Sequence, residues 1–344
     1  MKKNKLFNKI NREDLKKALK AESFERITAS FYKYFDIKDP DIFRDTIYLK
    51  LDQLNIFGRI YIAYEGINAQ VSVPKRNWNQ FLATLNEIKQ LVNISIKKAL
   101  NDRSSFYKLT IKVREELVAY HVPSNSYDMK KTGNHLNAEQ YNRALKNPNT
   151  IVVDMRNYYE SEIGRFDNAL IPDVETSKEL LPKVKKILKG NESNQILLYC
   201  TGGIRCEKAS AYLIQNGFED VNQLQGGIIQ YAHEVKKNGL ESKFRGKNFV
   251  FDERLGERVT NDVLALCHIC NSPCDKHTDC KNDACHILFI QCEKCSERLD
   301  GCCSKECQNF SKLPIEEQRI LRKDPDRVVS KTFFDSRIKP RINS

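Results

Sequence analysis

The sequence predicts an α+β protein of several domains, and three observations lead to this prediction. The chain has 344 residues, which is too long for a single ordinary hydrophobic core, so two or three domains are expected. Apolar residues follow a β-α-β-β-α-β pattern in its first third, and strands alternate with helices in its middle. Ten of the 12 cysteines lie between Cys267 and Cys307. These features predict a ferredoxin-like N-terminal domain, an α/β domain with a parallel sheet and a cysteine-rich C-terminal segment.

The N-terminal domain, residues 1–121, is expected to have the split β-α-β topology. Its predicted strands are residues 27–35, 59–63, 69–73, 92–97 and 109–115. Its predicted helices are residues 41–55 and 78–91, where apolar residues recur at helical spacing. Many domains of this topology bind RNA or act as adaptors, so the fold alone assigns no function.

A polar linker and a second domain follow. Residues 122–146, which contain Pro123 and Gly133, are predicted to be the linker and to end in a short helix over 137–146. The second domain, residues 147–240, has predicted strands at 150–155, 195–200 and 221–224, and predicted helices at 177–188, 207–216 and 227–237. Strands that alternate with helices indicate a parallel sheet, whose binding site lies at the C-terminal ends of the strands. Cys200 ends one of these strands.

The stretch after Cys200 predicts the functional site. The loop and the start of the next helix are Thr201, Gly202, Gly203, Ile204, Arg205 and Cys206. Glycines let backbone N–H groups turn inward, and the helix N-terminus points at the same place, so the loop forms an anion cradle. With a fixed charge on Arg205, such a cradle lowers the pKa of a thiol, which makes Cys200 a candidate nucleophile or persulfide carrier. The alternative is a buried cysteine packed as a small hydrophobe, which explains neither the glycines nor the arginine.

The spacing of the loop also bears on its chemistry. Cysteine phosphatases have a similar loop with the arginine one position later, where this chain has Cys206. A ring of amides shortened by one residue suits a centre smaller than phosphate, such as a terminal sulfur. Cys206 is placed to resolve a persulfide on Cys200 by forming a disulfide with it.

The residues around this loop resemble rhodanese domains. The opening motif of those domains is matched at Asp154, Arg156, Glu160, Gly164, Asn168, Ala169 and Pro172. The resemblance covers about residues 147–240 and implies the rhodanese fold, with Cys200 as its active-site cysteine. The chain departs from the family in having Arg165 where histidine is usual, and in being one residue short between Ala169 and Pro172. Neither departure touches the loop.

A wider set of motifs resembles the tRNA uridine hydroxylase family. They are AYEGINAQ at residues 63–70, YCTGGIRCEK at 199–208, GKNFVFDER at 246–254, Cys267-His268-x-Cys270 and Cys302-Cys303. The resemblance covers about residues 20–310. It implies a rhodanese-domain enzyme that uses molecular oxygen to convert the wobble uridine in the anticodon of tRNA to 5-hydroxyuridine. The sequence shows neither a glycine fingerprint for a flavin or dinucleotide nor a 2-His-1-carboxylate motif, so no nucleotide cofactor is expected and oxygen activation stays open.

The cysteine-rich segment, residues 241–310, predicts a metal site. Cys267, Cys270, Cys292 and Cys295 form two CxxC pairs separated by 21 residues, a pattern typical of structural zinc held by four thiolates. The remaining candidates allow a second site, although the sequence does not indicate which of them would form it: Cys274, His277, Cys280, Cys285, His286, Cys302, Cys303 and Cys307. An iron–sulfur cluster, packed reduced thiols and disulfides formed during purification are the alternatives. A disulfide framework is not expected in a cytosolic chain.

Charge and hydropathy indicate the partner and the compartment. The net charge is +12, and residues 319–344 hold eight Lys or Arg against three Asp. The basic tail, residues 311–344, is either a solvated end or a contact for a polyanion, with nucleic acid ahead of a membrane. No apolar run approaches the roughly 18 residues of a membrane span, and the N-terminus lacks the apolar core of a signal peptide. We therefore expect a cytoplasmic protein with a nucleic acid, and no membrane, as its partner, and the family resemblance implies that this nucleic acid is tRNA.

Three functions are open from the sequence. The resemblance implies a tRNA uridine hydroxylase. The residues alone support a sulfurtransferase, in which Cys200 takes sulfur from a donor and passes it to an acceptor. The third is a non-catalytic RNA-binding adaptor, which has no use for the Cys200 cradle.

Overall fold

The computed structural model describes residues 6–101, 104–174 and 176–323. The elements of the N-terminal domain are α1 (Arg12–Lys20), β1 (Arg26–Tyr34), α2 (Pro40–Asp52), β2 (Phe57–Ala63), β3 (Gly66–Pro74), α3 (Trp78–Asn86), β4 (Lys97–Lys98) and β5 (Leu109–Val113). Their sheet has the order β4-β1-β3-β2-β5. The strands β1, β3 and β2 pair antiparallel, and β5 runs parallel to β2. The predicted ferredoxin-like topology is confirmed, with β5 added at one edge.

Alternation along the central strand β3 decides which face of this sheet the helices cover. Ile67, Ala69 and Val71 are fully buried in a core shared with α2 and α3. Because successive side chains on a strand point to opposite faces, Asn68 and Gln70 point away from that core. The face that carries these two amides is turned toward the second domain, where it lines a cavity.

Two predicted elements of this domain are shorter than expected. The helix predicted over 78–91 ends early, and a single 3-10 turn follows over Lys89–Leu91. The strand predicted over 92–97 is reduced to β4, since Ile94 and Ile96 pack against the core without pairing with β1. The spacing of apolar residues located both segments, but it did not show whether a segment is hydrogen-bonded as a regular helix or strand or only packs its side chains against the core.

The elements of the second domain are β6 (Asn134–Leu136), α4 (Ala138–Ala144), β7 (Ile151–Asp154), α5 (Tyr158–Glu162), β8 (Gly164–Phe166), α6 (Ser177–Leu188), β9 (Gln195–Tyr199), α7 (Ile204–Gln215), β10 (Asp220–Leu224) and α8 (Gly227–Asn238). Its four-stranded sheet has the order β6-β10-β9-β7 and is parallel throughout, as predicted. On β9, Ile196 and Leu198 pack with α6 and α7, whereas Leu197 and Tyr199 pack with α4 and α8. Helices therefore cover both faces of the sheet. The C-terminal ends of its strands stay uncovered by these helices, and Cys200 lies there.

The structure corrects the extent of the predicted linker. The strand β6 pairs in parallel with β10, and α4 packs against α8, so the second half of residues 122–146 is part of the second domain. The helix predicted over 137–146 is confirmed as α4, whose cap Asn137 accepts a hydrogen bond from the Gln140 N–H at 2.9 Å. The strand β6 was missed because Asn134–Leu136 is too short and polar to show alternation.

The elements of the C-terminal part are β11 (Phe244–Asn248), β12 (Glu257–Arg258), β13 (His277–Asp279), β14 (Leu288–Ile290), α9 (Glu293–Arg298), α10 (Lys305–Ser311) and α11 (Ile315–Leu321). The strand β11 pairs antiparallel with β8 and β12, which joins this part to the second domain. The hairpin β13–β14 packs Leu288 and Ile290 against Phe249. Most of the predicted basic tail, residues 324–344, lies outside the described residues. Within the described ranges, no helix is long and apolar enough to cross a bilayer.

Candidate active site

Cys200 lies directly after β9 and before α7, where the loop encloses its sulfur. The Gly203 N–H donates a hydrogen bond to Cys200 Sγ at 3.1 Å. Gly203 has a φ of +100°, and a Cβ there would meet the Tyr32 hydroxyl at 2.7 Å, so this position requires glycine. A Cβ at Gly202 would meet nothing within 4 Å, and its φ is not left-handed. The cradle therefore depends on one of its two glycines.

The N-terminus of α8 holds this loop from behind. The N–H groups of Ile228 and Ile229 donate to the carbonyl oxygens of Cys200 and Thr201, at 3.0 and 3.2 Å. Gly227 has a φ of +69°, and a Cβ there would lie 2.6 Å from the Cys200 oxygen. The loop conformation is therefore set by backbone contacts with α8.

The surroundings of Cys200 favour its thiolate. Burial raises its pKa, but the Cys206 thiol, the charge of Arg205 and the N–H groups of Cys206 and Gly203 outweigh burial and lower the pKa to about 6. Cys206 is fully buried in the first turn of α7, and its pKa is raised well above the ordinary value by burial and by its hydrogen bond to Cys200. A pKa of about 6 favours the Cys200 thiolate at neutral pH, with the Cys206 thiol as a hydrogen-bond donor to it.

Arg205 acts on Cys200 through its charge and is held in place by Glu160. Its Nη1 and Nη2 donate to the two carboxylate oxygens of Glu160 at 2.6 and 2.8 Å, and Nη2 also donates to Thr201 Oγ1 at 3.3 Å. Glu160 is fully buried and accepts a further hydrogen bond from the Asn157 N–H at 3.0 Å. A bidentate pair of this kind fixes the plane of the guanidinium. The sequence places Glu160 in a motif but does not indicate its partner, which is 45 residues away.

Asp154 and Arg156, which open the rhodanese motif, support the sheet rather than the cavity. Both are fully buried, and the guanidinium donates to the carboxylate at 2.7 and 2.8 Å. The Tyr199 hydroxyl donates to the same carboxylate at 2.7 Å, and Arg156 donates to the Gly164 oxygen at 2.6 Å. These bonds tie the end of β9 to β7 and β8.

A cavity of about 510 Å³ lies in front of the Cys200 loop. Its walls come from all three parts of the chain: the open face of the N-terminal sheet, the loop with Cys200 and Ile204, and the segment around Phe251. Lys97 on β4 is buried on this wall, and burial lowers its pKa while the charges of Cys200 and Glu207 oppose that effect. Cavities of about 300–1,000 Å³ are typical of small-molecule and cofactor sites.

The residues that face Cys200 across this cavity were missed as site residues. Asn68 and Gln70 belong to the AYEGINAQ motif, and Phe251 belongs to the GKNFVFDER motif. The motifs therefore indicated that these segments matter to the family, but they did not indicate that the residues lie opposite Cys200. Lys97 belongs to no motif.

Two sets of four cysteines lie in the C-terminal part. The Sγ atoms of the first set all lie within 4.8 Å of one another: Cys267, Cys270, Cys292 and Cys295. The same limit holds for the second set: Cys280, Cys285, Cys303 and Cys307. The other candidates belong to neither set: Cys274, His277, His286 and Cys302. All 12 cysteines lie in the described residues, and none forms a disulfide.

The fold and the site are those of a rhodanese-domain protein with a further region on each side. Rhodanese-like domains match residues 137–234, the rhodanase C-terminal family matches residues 245–308, and the UPF0176 acylphosphatase like domain matches residues 26–117. The tRNA uridine(34) hydroxylase of Leptospira interrogans is 48% identical over 344 residues, 99% of this chain and 93% of the relative. That of Photorhabdus laumondii is 49% identical over 319 residues, 92% of this chain and 91% of the relative. This chain belongs to the tRNA uridine(34) hydroxylase family.

Proposed function

We propose that this protein hydroxylates C5 of the wobble uridine in tRNA, giving 5-hydroxyuridine, and that Cys200 is its reactive group. The observation that carries the proposal is a thiol with a pKa of about 6 on the wall of a cavity of about 510 Å³. Relatives that are 48% and 49% identical over most of the chain are named for hydroxylation of this uridine. A non-catalytic adaptor would need neither the thiolate nor the cavity.

The loop residues have separate roles at the sulfur. Cys200 carries the negative charge, as a thiolate or as a persulfide. The Gly203 N–H and the Cys206 thiol donate hydrogen bonds to it, and Arg205 supplies a positive charge that Glu160 holds in position. The remaining loop residues complete the cradle and line the cavity: Thr201, Gly202 and Ile204.

Molecular oxygen is the co-substrate in this proposal. One oxygen atom enters at C5 in place of hydrogen, and the second leaves as water. The balance requires two electrons and two protons from an external reductant. In this proposal Cys200 is the nucleophile, and the cavity in front of it receives the base.

The second candidate is a persulfide-forming sulfurtransferase, and the cradle itself favours it. Thiolate Cys200 would attack the sulfane sulfur of a donor, form an S–S bond and release the donor as its thiol or sulfite. The Gly203 N–H at 3.1 Å and the Arg205 charge suit a terminal sulfur as well as a thiolate. Cys206 is near enough to hydrogen-bond to Cys200. Once deprotonated, its sulfur would attack the inner sulfur of such a persulfide, form the Cys200–Cys206 disulfide and release hydrogen sulfide.

The RNA partner follows from the same site. A wobble base reaches Cys200 only when it leaves the stack of the anticodon loop, which RNA-modifying enzymes commonly require. The net charge of +12 supplies phosphate contacts that position the RNA without reading its sequence. We therefore infer that the anticodon region of tRNA binds at the mouth of the cavity, and that the protein works in the cytoplasm.

We also propose a structural zinc ion at each set of cysteines. Zinc with Zn–S bonds of about 2.3 Å separates tetrahedral sulfurs by about 3.8 Å. The Sγ separations of Cys270–Cys292, Cys285–Cys303 and Cys303–Cys307 are 3.6, 3.7 and 3.6 Å. The two sets alternate in pairs along the chain, so the first would hold the open end of the β13–β14 hairpin and the second its turn.

The test is the nucleoside content of tRNA from cells that lack the protein, complemented with the wild type or with Cys200→Ser. The proposal expects 5-hydroxyuridine to disappear, to return with the wild type and to stay absent with Cys200→Ser. Loss of a thiolated nucleoside instead would support sulfur transfer. Unchanged tRNA, or full modification by a folded Cys200→Ser protein, would contradict the assignment of Cys200.

A further inference from the structure

A row of three side chains crosses the open face of the N-terminal sheet. In the strand register, Tyr32 on β1 and Tyr61 on β2 both lie opposite Asn68 on β3. Opposite side chains on one face of neighbouring strands have Cβ atoms about 5 Å apart. The central strand therefore places an amide between two aromatic rings. All three side chains line the cavity that contains Cys200.

The row begins at the catalytic loop. The Tyr32 hydroxyl donates to Glu207 Oε1 at 2.9 Å, and it would lie 2.7 Å from a Cβ on Gly203. Since neighbouring strands are about 4.8 Å apart, Asn68 lies one strand beyond the tyrosine that touches the loop. The hydrogen bond to Glu207 fixes Tyr32, whose side chain forms the part of the cavity wall that runs from the Cys200 loop to the amide.

The polar groups beyond Tyr32 are unused by the protein. Within the described residues, the side-chain amides of Asn68 and Gln70 and the Tyr61 hydroxyl make no hydrogen bond, although all three residues are only half-exposed. An amide offers an acceptor oxygen and a donor nitrogen side by side. The Watson–Crick edge of uracil offers the complement, an N3–H donor beside a carbonyl oxygen. The cavity is also larger than a small sulfur donor needs and suits a nucleotide.

We propose that this open sheet face is the uracil-binding subsite, with Asn68 hydrogen-bonding the Watson–Crick edge and Tyr61 packing against the ring. The inference rests on the proposed function, since it assigns where the unstacked base sits while its C5 faces Cys200. Gln70, one row further along β3 and opposite Arg59, extends the same polar strip toward the backbone of the RNA. Asn68 and Tyr61 are positioning residues and take no part in bond making.

The experiment measures binding without turnover, in the Cys200→Ser protein. Fluorescence anisotropy compares an anticodon stem–loop RNA that has uridine at the wobble position with the same RNA abasic at that position. The uridine RNA should bind roughly tenfold more tightly, the effect expected for one stacked and hydrogen-bonded base. Asn68→Leu keeps the approximate shape of the side chain but removes its hydrogen-bonding groups. This variant and Tyr61→Ala should each lower the affinity for the uridine RNA toward the affinity for the abasic RNA. The affinity for the abasic RNA should not change.

Tyr64 supplies the matched control. It is a tyrosine of the same hairpin that is 66% exposed and lies outside the cavity, so Tyr64→Ala should leave both affinities as they were. Equal binding of the two RNAs, or a full preference for uridine in Asn68→Leu, would overturn the subsite. Nucleoside analysis of tRNA tests the reaction separately from the binding subsite. If binding prefers uridine and the preference depends on Asn68, but cells make no 5-hydroxyuridine with this protein, the proposed function is contradicted and the subsite is not.

Discussion

Lys208, in the second turn of α7, forms ion pairs with Glu65 and Glu116. Its Nζ lies 3.1 Å from Glu65 Oε1 and 2.8 Å from Glu116 Oε2, and its side chain is fully buried. Glu65 is in the turn between β2 and β3, immediately before the strand that carries Asn68. The ion pair between Lys208 and Glu65 therefore connects the helix that follows the Cys200 loop to the sheet on the opposite wall of the cavity.

Lys208→Met should destabilise the protein by about 2 kcal/mol, because two carboxylates lose a charged hydrogen-bond donor in a largely buried place. The free energy of unfolding in urea measures the change. Lys50→Met is the matched control, since the Lys50–Glu87 pair is exposed and such pairs contribute about 0–1 kcal/mol. Equal losses in the two variants would show that the interdomain pair has no special weight.

Arg205→Lys should raise the pKa of Cys200 above its value of about 6. Lysine loses the bidentate pair with Glu160 and presents a point charge that is not held in one direction. Since only the thiolate reacts, alkylation of Cys200 by iodoacetamide in the wild type should speed up as the pH rises through about 6 and then level off. In Arg205→Lys the same rise in alkylation rate should come at higher pH. Mass spectrometry of the Cys200 peptide measures the alkylation in both proteins. An unchanged profile would mean that the Arg205 charge does not act on this sulfur.

Cys206→Ala should also raise the pKa of Cys200, because the thiolate loses the hydrogen bond that the Cys206 thiol donates. Cys206→Ser should restore part of the effect, since a hydroxyl keeps a donor at the same position. The alkylation profile described above measures both variants. An alanine variant with the wild-type profile would assign the effect of Cys206 to its backbone N–H and not to its side chain.

Stability should depend on pH through the same group. The folded-state pKa of Cys200 is about 6, below the ordinary value of a thiol, so its thiolate stabilises the fold above the unfolded pKa of about 8.5. That contribution is lost as the pH falls toward about 6. The difference in free energy of unfolding between the wild type and Cys200→Ser should therefore grow in favour of the wild type from pH 6 to pH 9. A difference that stays constant would contradict the depressed pKa.

Protein purified under reducing conditions should contain about two zinc ions per chain, one for each cysteine set. Cys285→Ser should lower the content to about one, because it removes a ligand from the second set only. Cys302→Ser should leave two, since Cys302 is adjacent to a ligand but belongs to neither set. Elemental analysis measures all three proteins. Iron in place of zinc would indicate an iron–sulfur cluster, and an equal loss in both variants would contradict the partition.

Some of the site could be predicted because its chemistry is local. The strand, the glycine turn and the helix that surround Cys200 are consecutive in the chain, so their composition alone indicates an anion cradle. The pairs Cys267–Cys270 and Cys292–Cys295 are likewise recognisable by spacing. The second cysteine set was not, because four of the eight remaining candidates had to be excluded, and only their positions in space exclude them.

The sequence by itself determined the candidate reactive cysteine, the two alternating patterns that build the sheets, and the family. Only the tertiary structure decided what faces the cysteine. Asn68 and Cys200 are far apart in the chain and share a cavity because two domains are docked by contacts such as Lys208 with Glu65. Spacing along a chain reports which side chains share a strand or a helix, whereas contacts between domains depend on how separately folded surfaces fit together.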